Sequence, residues 1–305
     1  MGKEQIKEKN DMEYLDNITV ENYKACLLKL FGRFIEFCEE YSIGYYCAGG
    51  TTIGAIRHHG FIPWDDDIDL FMMREDYNRL LTLKEELQKR GIGLEGIQCS
   101  DNSAIFLKIW DTHTALWELK EVPFVYGVFI DIFPLDYTDD TREEFIKKYK
   151  SRRRLCLYYR LSRINFSISS FISRIRQKDY KFVTKGLLSL FVPGWMSGKI
   201  KNRILEEDAK EQHAAGAFLA SYYGSYWDRE YYKAEWFNDY KLVDFESLKV
   251  RIPIGYHEYL TQTYRDYMKL PPKDKQVSHH YHYYLNLEKG MTIDEIRKEL
   301  NTNKK

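Results

Sequence analysis

The run Trp64-Asp65-Asp66-Asp67-Ile68-Asp69-Leu70-Phe71 sets four aspartates within five positions directly before an apolar stretch. A strand over 68–73 sends alternate side chains to opposite faces, so Ile68 and Leu70 take the core side and Asp67 and Asp69, with Asp65 behind them, share the other. Carboxylates about 7 Å apart repel by roughly 2 kcal/mol at an effective dielectric near 20. The run therefore needs a buried strand with one open end and a cation at that end. Oxygen ligands with few His or Cys nearby favour a hard ion, Mg²⁺ or Mn²⁺, which keeps waters and completes its shell with substrate phosphate. Other uses of the run fit less well. An EF-hand loop would need Gly where Leu70 stands and Glu where Asp76 stands. Glycoside hydrolysis needs carboxylates on separated elements, and a solvated acidic turn would not lead straight into Ile68, Leu70 and Phe71.

Upstream, Tyr23, Leu27, Leu30, Phe31, Phe34 and Cys38 recur at helical spacing within 20–41, and Gly44 follows as a stop. Residues 43–48 read as a strand, Gly49-Gly50 as a turn and 51–58 as a helix. Gly49, Gly50 and Thr51 at such a junction let backbone amides approach a phosphate, and an Asp-x-Asp on the next strand adds a divalent ion to hold a nucleotide diphosphate. Arg57 and His58 end that helix and are candidates to add charge at the leaving phosphate. A helix over 74–90 and strands over 92–98, 105–110 and 125–133 follow, then a strand over 217–223, a strand pair over 241–254 and a helix over 256–268 stopped by Pro271-Pro272. The class is mixed α+β with a central sheet, and 305 residues that are 44% apolar and 16% aromatic can fill its core.

The 46 basic and 46 acidic residues balance, which removes the bulk electrostatic case for nucleic-acid binding. The balance is not local, because 147–203 holds 16 Lys or Arg against the single acid Asp179. Interleaved Leu155, Tyr159, Ile164, Phe171, Ile175, Leu187, Phe191 and Trp195 make the segment amphipathic. It reads either as a helical hairpin with a solvated face or as helices lying on an anionic membrane or gripping an anionic polymer. The N-terminus lacks an apolar signal core, and the longest nearly apolar stretch, 186–196, is about half of the ~20 residues a span requires. The expectation is a cytoplasmic protein, peripheral on the inner face of the membrane. Five widely spaced cysteines without a CxxC pair argue against a disulfide scaffold and a zinc site.

The stretch from Gly50-Thr51-Thr52-Ile53-Gly54-Ala55-Ile56-Arg57-His58 through Phe61-Ile62-Pro63-Trp64 to Asp69 closely resembles the signature of the LicD family, bacterial phosphocholine transferases related to fukutin and the fukutin-related protein. The likeness extends to Phe129-Ile130-Asp131-Ile132-Phe133-Pro134-Leu135-Asp136 and to Tyr259-Leu260 through Tyr264-Arg265-Asp266-Tyr267, where Arg265 stands in place of an expected Gly. The resemblance implies a nucleotidyltransferase fold of the DNA polymerase β type. It also implies transfer of a phospho-alcohol, phosphocholine first, from a CDP-activated donor to a hydroxyl of a glycan or lipid-linked glycan, releasing CMP. Teichoic acid, lipopolysaccharide or a capsule precursor would be the acceptor. In that chemistry Asp67 and Asp69 bind the metal, with Asp65 beside them, and a third carboxylate serves as ligand or base.

Asp131, flanked by Ile130 and Ile132 at a strand end, is expected in that third role, whereas Asp136 after Pro134 is expected in a turn with a structural part. Lys108 and His279 are candidate phosphate or substrate contacts. The expected organisation is a catalytic core over 20–140, a basic helical region over 141–215, a C-terminal part over 216–290 packed on the core, and flexible ends at 1–15 and 296–305. The alternatives are a non-catalytic membrane or anionic-polymer-binding protein with a degenerate acidic site, and a nucleotidyltransferase acting on a small molecule.

Overall fold

The computed structural model describes residues 17–99, 104–276 and 282–302. The apolar stripe read from the sequence forms α1 (Asn17–Glu40), whose Leu27, Leu30, Phe31, Phe34 and Phe37 are fully buried. The chain then runs through β1 (Tyr46–Cys47), α2 (Gly49–Arg57), β2 (Asp69–Met73), α3 (Arg74–Thr82), α4 (Lys84–Lys89), β3 (Ile92–Glu95), β4 (Leu107–Asp111), β5 (Ala115–Trp117) and β6 (Phe129–Thr138). The expected helix over 74–90 is thus two helices meeting at Leu83, and Gly49-Gly50 opens α2 instead of preceding it as a turn.

β6 is the hub of a seven-stranded mixed sheet, five strands of which run in the order β1-β2-β6-β4-β3 while two further short strands extend from the far end of β6. It runs parallel to β2 and antiparallel to β4, and its far end pairs with β7 (Phe218–Ala220). The strand was expected to end at Phe133, yet it continues through Pro134. The reason lies in the ladder. The Asp131 N–H donates to Ile68 O at 3.1 Å, so the nitrogen of Pro134, three residues on, faces the opposite side. There the β4 register has ended at Ile132 and the β7 register starts at Asp136, so the missing N–H costs no bond.

The basic segment is four helices in place of a hairpin: α5 (Arg142–Ser162), α6 (Ile168–Arg176), α7 (Tyr180–Ser189) and α8 (Ser197–Lys210). Thr141 and Glu144 close a reciprocal capping box at the start of α5. Two of the segment's cations are internal anchors. Buried Arg152 pairs with Glu207 and Asp208 on α8, and buried Arg174 pairs with Glu121 at 2.7 Å. Beyond lie β8 (Tyr231–Lys233), the hairpin β9 (Tyr240–Phe245) and β10 (Leu248–Pro253), α9 (Tyr256–Tyr264), β11 (Tyr284–Asn286) and α10 (Ile293–Thr302). Of the tail expected to be flexible from 296, residues 296–302 lie in α10, whose Ile296 is fully buried in a cluster with Trp117.

Ile68, Leu70, Met72, Ile130 and Ile132 are buried in the core that α1 covers. Asp69, Phe71, Asp131 and Phe133 alternate with them along the two strands and occupy the opposite face.

Candidate active site

β1 and β2 pair with Cys47 opposite Leu70, and the Ala48 N–H donates to Asp69 O at 2.8 Å. The chain then turns at Gly49, whose φ of 50° suits glycine, into the first turn of α2. The Gly49 N–H donates to the Tyr259 hydroxyl of α9 at 2.7 Å. A Cβ at Gly49 would meet Tyr264 Oη at 3.0 Å and Asp69 Oδ2 at 3.5 Å, and one at Gly50 would stand 2.6 Å from Asp65 Oδ2. The two glycines are therefore what lets the acidic run lie against the start of α2. Thr51 is 3% exposed, and its hydroxyl accepts the Asp69 N–H at 2.8 Å, so this side chain fixes the start of β2 and does not reach for a ligand.

Asp67 precedes β2 and Asp69 opens it; both are half-buried while Ile68 between them is buried. Across the parallel ladder Asp69 is in register with Asp131 of β6, and Asp131 is in register with Lys108 of β4. Three neighbouring strands thus carry acid, acid and base in a row on one face, at a strand spacing of about 4.8 Å. Lys108 Nζ lies 2.6 Å from Asp131 Oδ1 and 3.5 Å from the centre of the Phe129 ring, with the two side chains 12% and 19% exposed. Among the described residues no three His, Cys, Asp or Glu side chains converge on one point as a metal cage would. Lys108 supplies the charge that neutralises Asp131.

Other candidates lie elsewhere. Arg57 and His58 close α2 about 12 Å along the helix from Gly49. Arg57 donates to the Tyr267 carbonyl at 2.7 Å and to His58 at 2.9 Å, and it ties α2 to the C-terminal motif. Burial, and then the Arg57 charge, lower the His58 pKa. Asp136 is not in a turn: it is a 1%-exposed strand residue clasped by Arg74 through bonds of 2.6 and 2.8 Å. Arg265 has φ 67° and ψ −119°, a backbone that favours glycine and accounts for the Gly expected there. His279 lies outside the described residues.

Residues 42–167 match the family model described as LicD/FKTN/FKRP, nucleotidyltransferase domain. The lipopolysaccharide cholinephosphotransferase LicD of Haemophilus influenzae is 30% identical over 270 residues, which cover 87% of this chain and 97% of that protein. The chain belongs to the LicD family. Two shorter likenesses agree. An uncharacterized Rickettsia typhi protein is 28% identical over 134 residues, 43% of this chain and 40% of its own. The mouse ribitol 5-phosphate transferase FKRP is 31% identical over 85 residues, 24% of this chain and 17% of its own.

In this LicD-family chain several supports of the site carry no sequence signal of their own. Lys24 of α1 donates to the carbonyls of Ile62 and Pro63 at 3.3 and 3.1 Å and so holds the approach to the acidic run. Burial lowers its pKa against the raising pull of Asp66 and Asp65. Glu246, in the β9–β10 turn, accepts the Phe61 N–H at 3.1 Å and steadies the same loop. A lysine on an amphipathic helix and a glutamate in a hairpin turn are ordinary residues until tertiary contact assigns them.

Proposed function

We propose that the chain transfers a phospho-alcohol, phosphocholine first, from a CDP-activated donor to a hydroxyl of a cell-surface glycan such as a teichoic acid, lipopolysaccharide or capsule precursor, and releases CMP. The scaffold is read as a nucleotidyltransferase fold of the DNA polymerase β type. Likeness along 97% of a lipopolysaccharide cholinephosphotransferase carries the reading, supported by Asp69, Asp131 and Lys108 in one row.

Each part of the row has a task. The acceptor oxygen attacks the phosphorus that carries the alcohol, the bond to CMP breaks, and Asp131 takes the proton of the attacking hydroxyl. Lys108 orients Asp131 and stands where a phosphoryl oxygen arrives. Gly49 and Gly50 bring backbone close to the phosphates at the start of α2. Asp67 and Asp69, with Asp65 beside them, would hold Mg²⁺ or Mn²⁺. An ion held there by two carboxylates would keep waters and take phosphate oxygens for the rest of its shell. Bound there, such an ion would offset charge on the attacking and leaving oxygens.

No helix of the described residues is long and apolar enough to cross a membrane. Ile168, Phe191 and Trp195 are 81%, 82% and 72% exposed, and Arg176, Lys181 and Lys185 are exposed on the same helical region. We read this as a peripheral docking face for an anionic inner leaflet or a lipid-linked acceptor. Incubating the purified protein with CDP-choline, CDP-ribitol and CDP-ethanolamine, Mg²⁺ and a lipid-linked glycan tests the reaction. CMP release with transfer of one phospho-alcohol is expected, and no CMP from any donor would refute it.

A further inference from the structure

Two cavities flank the acidic row, and their linings are opposite in charge. The larger, about 280 Å³, holds Lys108, Arg160 and Lys185 against a single acid, Glu118. The smaller, about 90 Å³, lies between the site face of the sheet, the 224–232 segment and α9. Six aromatic rings wall it: Phe71, Phe133, Tyr226, Tyr232, Tyr259 and Tyr264. Asp69 and Glu230 are its charged members, and no Lys, Arg or His is among its lining residues.

The rings stand as the walls of a box. Tyr232 and Tyr259 meet at 87° with centroids 5.2 Å apart, Phe71 and Tyr259 at 68° and 5.7 Å, and Tyr226 and Tyr264 at 64° and 4.7 Å. Glu230 is fixed behind them by the Tyr226 N–H at 3.0 Å and the Tyr232 hydroxyl at 2.9 Å. Gly224 is required for this, because a Cβ there would fall 2.0 Å from Glu230 Oε1.

We infer that the smaller cavity is the seat of a quaternary ammonium, the trimethylated head of the transferred group, placed beside Asp69 by six aromatic faces and the Glu230 carboxylate. The inference rests on the phosphocholine reading above and assigns that group its specificity pocket. Aromatic faces attract a cation through their quadrupole, most strongly when water is excluded. A trimethylammonium has no N–H to satisfy and sheds its water readily. A primary ammonium keeps three N–H groups that hold water and seek acceptors, so it gains less from the ring faces than a trimethylammonium does. At about 90 Å³ the cavity has room for a compact head group. Burial pushes Glu230 up to about 7, a cost that a bound cation beside it offsets.

The test is calorimetric binding of phosphocholine, phosphoethanolamine and CMP to the full chain with Mg²⁺ present. Tyr226→Leu is the main variant because Tyr226 is 39% exposed at the mouth and tolerates change. Glu230→Gln is the second. Phosphocholine should bind about tenfold or more tighter than phosphoethanolamine, and both variants should erase most of that preference while CMP affinity stays the same. Equal binding of the two amines, no binding of either, or a preference that survives Tyr226→Leu overturns the pocket. If CMP still binds in those cases, the CDP-donor reading outlives it. A preference for phosphocholine without any CMP binding supports the pocket and defeats the CDP-donor reading.

Discussion

Replacing Asp136 by Asn separates the two aspartates of the Phe129–Asp136 motif by what each one does. Asp136 receives two parallel bonds from Arg74, Nε to Oδ1 at 2.6 Å and Nη2 to Oδ2 at 2.8 Å, between side chains that are 7% and 1% exposed. Burial alone would lower the Arg74 pKa, but the hydrogen bonds and charge of Asp136 raise it, so the guanidinium keeps its charge. Asn removes the charge and leaves a guanidinium buried without a counter-ion, a loss of about 3–5 kcal/mol. With about 2.1 cal/mol/K of unfolding entropy per residue over 305 residues, Tm should fall by roughly 5–8 °C. Activity per folded molecule should remain near normal, because Asp136 lies at the β7 end of β6, away from the Asp69–Asp131–Lys108 row. Removing both charges together, Arg74→Met with Asp136→Leu, should cost less than Asp136→Asn alone. Differential scanning calorimetry with CMP release measured well below Tm decides it. A variant that melts like wild type but has lost turnover would move the catalytic role from Asp131 to Asp136.

Arg265→Gly should stabilise the protein by about 1 kcal/mol, since relieving a positive φ returns about 1–3 kcal/mol and the extra freedom of unfolded glycine takes back part of it; a melt no higher than that of Arg265→Ala would contradict this. Glu230 is buried and its folded pKa is near 7 against an ordinary 4.5, so the folded state holds more protons between those values. Its contribution to stability therefore falls as pH rises from about 4.5 through 7, by up to about 3 kcal/mol, and Glu230→Gln should flatten that part of the Tm–pH curve. Parallel curves for the two proteins would show that Glu230 titrates normally. Sedimentation with anionic liposomes at low salt should exceed that with neutral ones, each basic residue at the surface contributing on the order of 1 kcal/mol, and Phe191→Ser with Trp195→Ser should weaken it; equal sedimentation with both lipids rules out electrostatic docking.

The local parts of the site were legible because they are written in short-range pattern. Alternation along Asp67-Ile68-Asp69-Leu70 placed two carboxylates opposite a core face, and helical spacing placed α1. The same logic put Asp131 on the carboxylate side, but its partner on β4, Lys108, depends on register that no single strand encodes. Pro134 misled as a strand terminator because its tolerance depends on the gap between β4 and β7, a tertiary fact. Thr51 and Arg57 have side chains suited to phosphate and spend them on Asp69 N–H and the Tyr267 carbonyl. The aromatic box was invisible for a similar reason: its tyrosines come from 226–232 and 259–264, and in sequence each is one of 25.

The central claim is that phosphoryl transfer takes place at the Asp69–Asp131 row. Its most direct test is single-turnover CMP release from CDP-choline with Mg²⁺ and acceptor, comparing wild type with Asp69→Asn and Asp131→Asn, each checked for an unchanged melt. Wild type should release CMP and lose that release in EDTA, and each variant should be slower by about 100-fold or more. CMP release at the wild-type rate in either folded variant, or undiminished in EDTA, would contradict it.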